Sequence, residues 1–230
     1  MSRRGEAKTL VIDVSQRLRQ RILGGVLRPG DRLQPGQLSK EFGASTTVIR
    51  EALLLLGHDR LVQSSTGQGY FVSRLNQAEF RDLTKVRCHV ETLALTLAIE
   101  RGSLAWESEL TAVHHRLVRT ERKVDDQPQT SSEWFKAHRD FHAKLIEACR
   151  ISTLIDFSET LANATELYRV WFAQTATVLS RDVEREHSDI LSAVIARDAG
   201  KACALLVGHY TTTMENLLAL WPGEAPGPAK

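Results

Sequence analysis

Leu38-Ser39-Lys40-Glu41-Phe42-Gly43-Ala44-Ser45-Thr46-Thr47-Val48-Ile49-Arg50-Glu51-Ala52-Leu53 is the stretch that decides the fold of the first third of the chain. Leu38 and Phe42 stand one helical turn apart, and Gly43 is a C-terminal stop, which gives a short helix over roughly 35–42. Ser45 is a good N-cap for a second helix over roughly 46–57. In that helix Ile49, Ala52, Leu53 and Leu56 form an i, i+3, i+4, i+7 core stripe. Two short helices joined by a three-residue turn make a helix-turn-helix. Upstream, Leu10, Val14, Leu18 and Ile22 recur at four-residue steps and predict an amphipathic helix over 9–25. Pro29-Gly30 then fixes a turn. Downstream, Leu61–Ser64 and Tyr70–Val72 are β-prone runs on either side of a glycine-bearing tip, Ser65–Gly69, and read as a hairpin. Helix-turn-helix plus hairpin is a winged helix, expected over residues 9–75, with residues 1–8 as a disordered tail.

A helix-turn-helix enters the major groove by the first turn of its second helix. With Ile49, Ala52 and Leu53 facing the core, Thr46, Thr47 and Arg50 remain on the outer side. The Arg50 guanidinium can fork onto guanine O6 and N7 or pair with phosphate. The helix N-terminus itself favours phosphate. Ser45, Gln37 and the wing tip Gly67, Gln68 and Gly69 complete the candidate DNA-binding set. Charge agrees with this assignment. Residues 1–75 hold 12 Lys/Arg against 6 Asp/Glu, whereas residues 76–230 hold 18 against 22. A basic module suited to a polyanion therefore precedes a mildly acidic one.

These residues resemble the GntR family of bacterial transcriptional regulators. The resemblance rests on Leu27-Arg28-Pro29-Gly30-Asp31-Arg32-Leu33, Leu38–Ser45, Arg50-Glu51-Ala52-Leu53 and Gly67-Gln68-Gly69-Tyr70-Phe71-Val72. It implies a DNA-binding regulator. Three positions depart from the family pattern. Thr46 stands where an arginine is usual, Val48 where a proline is usual, and Gln68 where the wing commonly has arginine. The family's usual operator is therefore not assumed.

From Gln77 onward the pattern is helical throughout, over about 77–101, 104–124, 131–149, 152–175, 180–198 and 200–220. Long helices with short connections predict an antiparallel bundle of six to seven helices over 76–221. The overall expectation is a mainly α chain with one small β-hairpin, ending in a disordered tail over 222–230. His138 and His142, at i and i+4, project from one face of one helix, a spacing that can bite one metal. His187 and His209 fall on the last two helices, on either side of the turn at Gly200. Four imidazoles converging inside a bundle would make a transition-metal site, with zinc the best fit and nickel second.

The bundle resembles the ligand-binding domain of the FadR subfamily of GntR regulators. Phe141-His142, Glu186-His187-Ser188-Asp189-Ile190-Leu191 and Gly208-His209-Tyr210 match that pattern, as do Arg87 and Glu91 near the start of the first bundle helix. Metal-binding members carry an aspartate four residues before the first histidine, where this chain has His138. Arg87, Arg169, Tyr168 and Trp134 are candidates to line an effector pocket. The alternative is that Arg87 pairs with Glu91 one turn on, and that Trp134 and Tyr168 are core.

The expected function is a ligand-responsive regulator, a repressor, binding a pseudo-palindromic operator in double-stranded DNA as a homodimer and sensing a small carboxylate. Two alternatives are a metal-dependent enzyme built on the histidines and a bundle with a purely structural metal. No HExxH, G-x-S-x-G or P-loop is present, so no enzyme is expected. Cys88, Cys149 and Cys203 are far apart and form no CxxC pair. No apolar run approaches a membrane span, and residues 1–8 lack a signal core. A bacterial cytoplasmic, nucleoid-associated protein is expected.

Overall fold

The computed structural model describes residues 3–122, 131–173 and 181–221. The elements in order are α1 (Arg3–Leu23), β1 (Arg32–Leu33), α2 (Pro35–Phe42), α3 (Thr46–His58), β2 (Val62–Ser65), β3 (Gly69–Val72), α4 (Gln77–Arg101), α5 (Leu104–Arg119), α6 (Ser132–Glu147), α7 (Ser152–Ala173), α8 (Val183–Ile195) and α9 (Ala199–Ala219). The chain divides into two compact units. One comprises residues 1–79 and 160–171, the other residues 80–159 and 172–230.

In the first unit, Val14, Leu18 and Ile22 of α1 are buried against Ile49, Ala52, Leu53 and Leu56 of α3 and Leu38 of α2. Each large side chain removed from water there contributes roughly 1.5–3 kcal/mol. Gly43 closes α2 in the left-handed conformation, at φ 63°. Ser45 caps α3, its hydroxyl accepting from the Val48 N–H at 3.3 Å. A proline at 48 would have no N–H to donate, so the departure at this position supplies a cap.

The wing has three strands in the order β1-β3-β2, all antiparallel. The hairpin was legible in the sequence; β1 was not. The Pro29-Gly30 turn, with Gly30 at φ 88°, brings the chain back beside β3. There Gly30 N–H donates to the Val72 carbonyl at 3.0 Å, and Val72 N–H to the Asp31 carbonyl at 2.9 Å. A two-residue strand has too little pattern to be seen before its partner is known.

Two further differences concern boundaries. α1 begins at Arg3, so residues 3–8, expected as a tail, are helical; Glu6, Ala7 and Lys8 are good helix formers and carry the helix backward. Residues 160–171 of α7, expected within one contiguous helical domain, group with the DNA-binding unit. Leu167 is buried in its core. The Asn163 amide bridges Arg19, at 3.0 Å, and Asp59, at 3.2 Å. Periodicity shows that a helix face is apolar, not which core receives it. The expected tail over 222–230 lies outside the described residues.

The second unit is built on α4, α5, α6, α8, α9 and the ends of α7. Its core holds Leu95, Ala98, Trp106, Leu110, Phe141, Leu145, Ile190, Val194 and Leu206. Trp106 Nε1–H donates to the Lys144 carbonyl at 2.8 Å and ties α5 to α6. Asp198 caps α9, accepting from Lys201 N–H at 2.9 Å.

Candidate functional site

α6, α8 and α9 bring four imidazoles together. His138 and His142 lie one turn apart on α6, His187 on α8 and His209 on α9, and all four are buried. Ring centroids are 4.5 Å apart for His138–His142, 4.9 Å for His138–His187, 4.7 Å for His187–His209 and 5.2 Å for His142–His209. One nitrogen from each ring lies within 4.8 Å of the others. Nitrogens sharing one zinc at its usual bond length stand about 3.3 Å apart. His138 Nε2 and His142 Nε2 are already 3.2 Å apart. The remaining approach needs only side-chain shifts, and four imidazoles suit zinc or nickel better than magnesium or calcium. The donor set therefore fits a transition metal. Asp140 is not among the grouped side chains.

The histidines rest on charged partners that sequence reasoning did not single out. His209 Nδ1 is 2.8 Å from a Glu186 oxygen. Arg181 holds the same carboxylate, with Nε at 2.6 Å, and also donates to Thr213 at 2.6 Å and to the His209 carbonyl at 2.8 Å. Burial alone would raise the Glu186 pKa; hydrogen bonds from His209 and Arg181, with their charge, outweigh it and hold it at about 2. Glu186 adjoins a predicted ligand in sequence, but its contact with a histidine 23 residues on appears only once α8 and α9 are packed. On the other side, Tyr210 lies between His142 Nδ1, at 2.8 Å, and Glu91. Burial, offset in part by Arg87, leaves the Tyr210 hydroxyl well above its ordinary pKa.

The four effector candidates separate. Trp134 is buried and stacked on His138, with centroids 4.9 Å apart and planes at 27°. Arg122 lies over the Trp134 ring at 5.0 Å. Arg87 is buried, with Nε 2.7 Å from Glu91 and a second donor 3.1 Å from the Tyr210 hydroxyl. The i, i+4 pairing considered from sequence is thus present, within the polar network behind His142. Tyr168 and Arg169 lie on the part of α7 that belongs to the DNA-binding unit. The Tyr168 hydroxyl accepts from Asn76 N–H at 3.3 Å, and burial pushes its pKa up to about 12.

In that unit Ser45, Thr46, Thr47 and Arg50 are exposed along the first turn of α3, and Gln37 is exposed on α2. Gly67 and Gln68 are exposed at the wing tip, with Gly69 half-buried. Gly67 and Gly69 take φ 75° and 102°, which favour glycine.

Residues 10–72 match the family described as bacterial regulatory proteins, gntR family, and residues 82–212 match the FCD domain. The chain belongs to the GntR family. It is a GntR regulator of the FadR type, with a winged helix-turn-helix followed by an FCD domain, and this family is one of transcriptional regulators rather than enzymes. It is similar to the HTH-type transcriptional regulator BphR of Paraburkholderia xenovorans, 32% identical over 208 residues covering 90% of this chain and 84% of that protein. It is also similar to the HTH-type transcriptional repressor GlaR of Escherichia coli, 29% identical over 85% of this chain and 90% of that protein. Among solved structures, Escherichia coli McbR/YncC has the same fold, with TM-score 0.76 at 21% identity over 93% of this chain and 99% of that one. Among the described residues, no helix of this GntR regulator is long and apolar enough to cross a membrane.

Proposed function

We propose that this GntR regulator is a cytoplasmic, nucleoid-associated repressor that binds a pseudo-palindromic operator as a homodimer and releases it in response to a small carboxylate held at a metal. The observation that carries the reading is the buried cluster of His138, His142, His187 and His209 in the FCD domain. Zinc is the metal the four imidazoles suit best, with nickel next. A shell of four neutral imidazoles leaves the full dication charge, one unit more than a shell containing an aspartate. That charge favours an anion at any open coordination position. Trp134, stacked on His138, and Arg122, over the Trp134 ring, support a reading in which the rest of such a ligand lies on the His138 side.

The DNA end rests on Arg50, Thr46 and Thr47, with Ser45, Gln37 and the wing tip Gly67, Gln68 and Gly69 as backbone and flanking contacts. One recognition helix and one wing read too few base pairs for useful specificity, and a two-fold dimer doubles the half-site. Repression is supported by the name of the GlaR relative.

The test is to select DNA with the purified protein from random duplexes, then titrate the selected operator with zinc-loaded protein and a panel of small mono- and dicarboxylates. An inverted repeat, with affinity lowered by one carboxylate, is the expected outcome. An operator unaffected by every carboxylate, together with a four-coordinate zinc closed by all four imidazoles, would make the metal structural.

A further inference from the structure

The polar groups behind His142 call for a hydrogen on Nδ1, which in the neutral ring selects the nitrogen a metal would meet. Glu91 Oε1 accepts from Arg87 Nε at 2.7 Å and from the Ser158 hydroxyl at 2.8 Å. A carboxylate salt-bridged to a guanidinium offers only acceptors. Glu91 Oε2 therefore accepts a close hydrogen bond from the Tyr210 hydroxyl. With its one O–H donated toward Glu91, the Tyr210 oxygen can otherwise only accept. It accepts from Arg87 Nη2 at 3.1 Å, and its remaining neighbour, His142 Nδ1 at 2.8 Å, must then carry a hydrogen. A neutral imidazole protonated on Nδ1 has its lone pair on Nε2. His142 Nε2 is the atom that faces His138, at 3.2 Å.

We propose that Tyr210, clamped by Glu91 and Arg87, is the positioning residue that fixes His142 as the Nδ1–H tautomer and so presents its Nε2 lone pair to the metal. The inference rests on the metal reading above. It accounts for a fully buried Arg–Glu pair in the middle of a helical unit. Burying such a pair is costly unless every donor and acceptor is satisfied, and here α4, α6, α7 and α9 each supply a member. Arg87 is thereby a support of the centre rather than an anchor that meets the effector. Glu186 stands to His209 as Tyr210 stands to His142, with a carboxylate accepting from Nδ1 and leaving Nε2 for the metal.

The experiment is long-range proton–nitrogen NMR of histidine-labelled protein, first without metal, on the wild type and on Tyr210→Phe, followed by zinc titration of both against a competing chelator. The wild type should show His142 with its proton on Nδ1 before any metal is added. Tyr210→Phe keeps the ring and removes the acceptor, so His142 should become a mixture of tautomers and zinc should bind roughly 10–100-fold more weakly. Wild-type His142 protonated on Nε2 would overturn the proposal, and so would a variant with unchanged tautomer and unchanged zinc affinity. If Tyr210→Phe does not fold, the metal-free wild-type spectrum alone decides the tautomer. Wild-type protein that takes up no zinc while showing the Nδ1–H tautomer would overturn the metal reading and leave the proton placement standing.

Discussion

At the scale of single residues, side chains that meet a ligand differ from those that hold them in place. Arg50 is exposed at the start of α3 and should meet the operator directly. Arg50→Ala should weaken specific binding by about 1–3 kcal/mol and relax selectivity at one position of each half-site, if its guanidinium reads a guanine. Binding assays on the selected operator and its single-base variants check this, and unchanged affinity would displace α3 as the reading helix. Glu186 tests the other kind of residue. Its pKa of about 2 lies below the ordinary carboxylate range, so its hydrogen bonds stabilise the fold fully above that range. The contribution is lost as pH falls from there through about 2. In metal-free protein, Glu186→Gln should melt lower than the wild type at neutral pH, with the gap closing as the pH is taken from about 5 toward 2. A gap independent of pH would mean that the carboxylate charge is not what stabilises. The four histidines were legible in the sequence because i, i+4 spacing puts two rings on one helix face, and two more fell on neighbouring helices. Glu186, Tyr210 and Glu91 were not legible as supports, because each acts across helices: Glu186 on His209, Tyr210 on His142 and Glu91 on Tyr210.

At the scale of elements, start and stop signals predicted most boundaries within a few residues. Ser45 before α3, Gly43 after α2 and Gly102 after α4 all act where expected. α5 ends at Arg119 rather than near 124, and α8 at Ile195 rather than 198. Arg197 there takes φ 58° and donates to the Ile99 and Gly102 carbonyls at 2.6 and 2.7 Å, contacts that no local pattern announces. Gly102 is required by close packing. A Cβ there would run into the Trp106 ring and stand 2.7 Å from the Ala98 carbonyl oxygen. Gly102→Ala should therefore destabilise the protein by about 1–3 kcal/mol, the usual cost of overpacking, read as a lower denaturant midpoint. A midpoint unchanged from wild type would mean that Trp106 has room to move. Ser45→Ala should cost about 0.5–2 kcal/mol by the same measurement and should also weaken operator binding, because it frays the turn that carries Thr46 and Thr47.

At the scale of the whole molecule, a ligand changes DNA affinity only by binding one state of the protein better than another. The coupling is reciprocal, so any carboxylate that lowers operator affinity by some factor must bind the operator-bound protein more weakly by the same factor. Calorimetry of the effector with and without operator DNA checks this, and identical affinities would remove the regulatory role of the bundle. α7 is the element to watch, since residues 152–159 belong to the unit with the histidines and residues 160–171 to the unit with the recognition helix. The two-module plan was legible from the charge split and the change of periodicity. The sharing of α7 was not, because it depends on which core receives Leu167. If the four histidines hold one metal, the metal content of purified protein supplemented with zinc or nickel, set beside His142→Ala and His138→Ala, reads it out. Close to one metal per chain is expected in the wild type, with its loss in both variants; wild-type protein without stoichiometric metal would contradict a shared metal site.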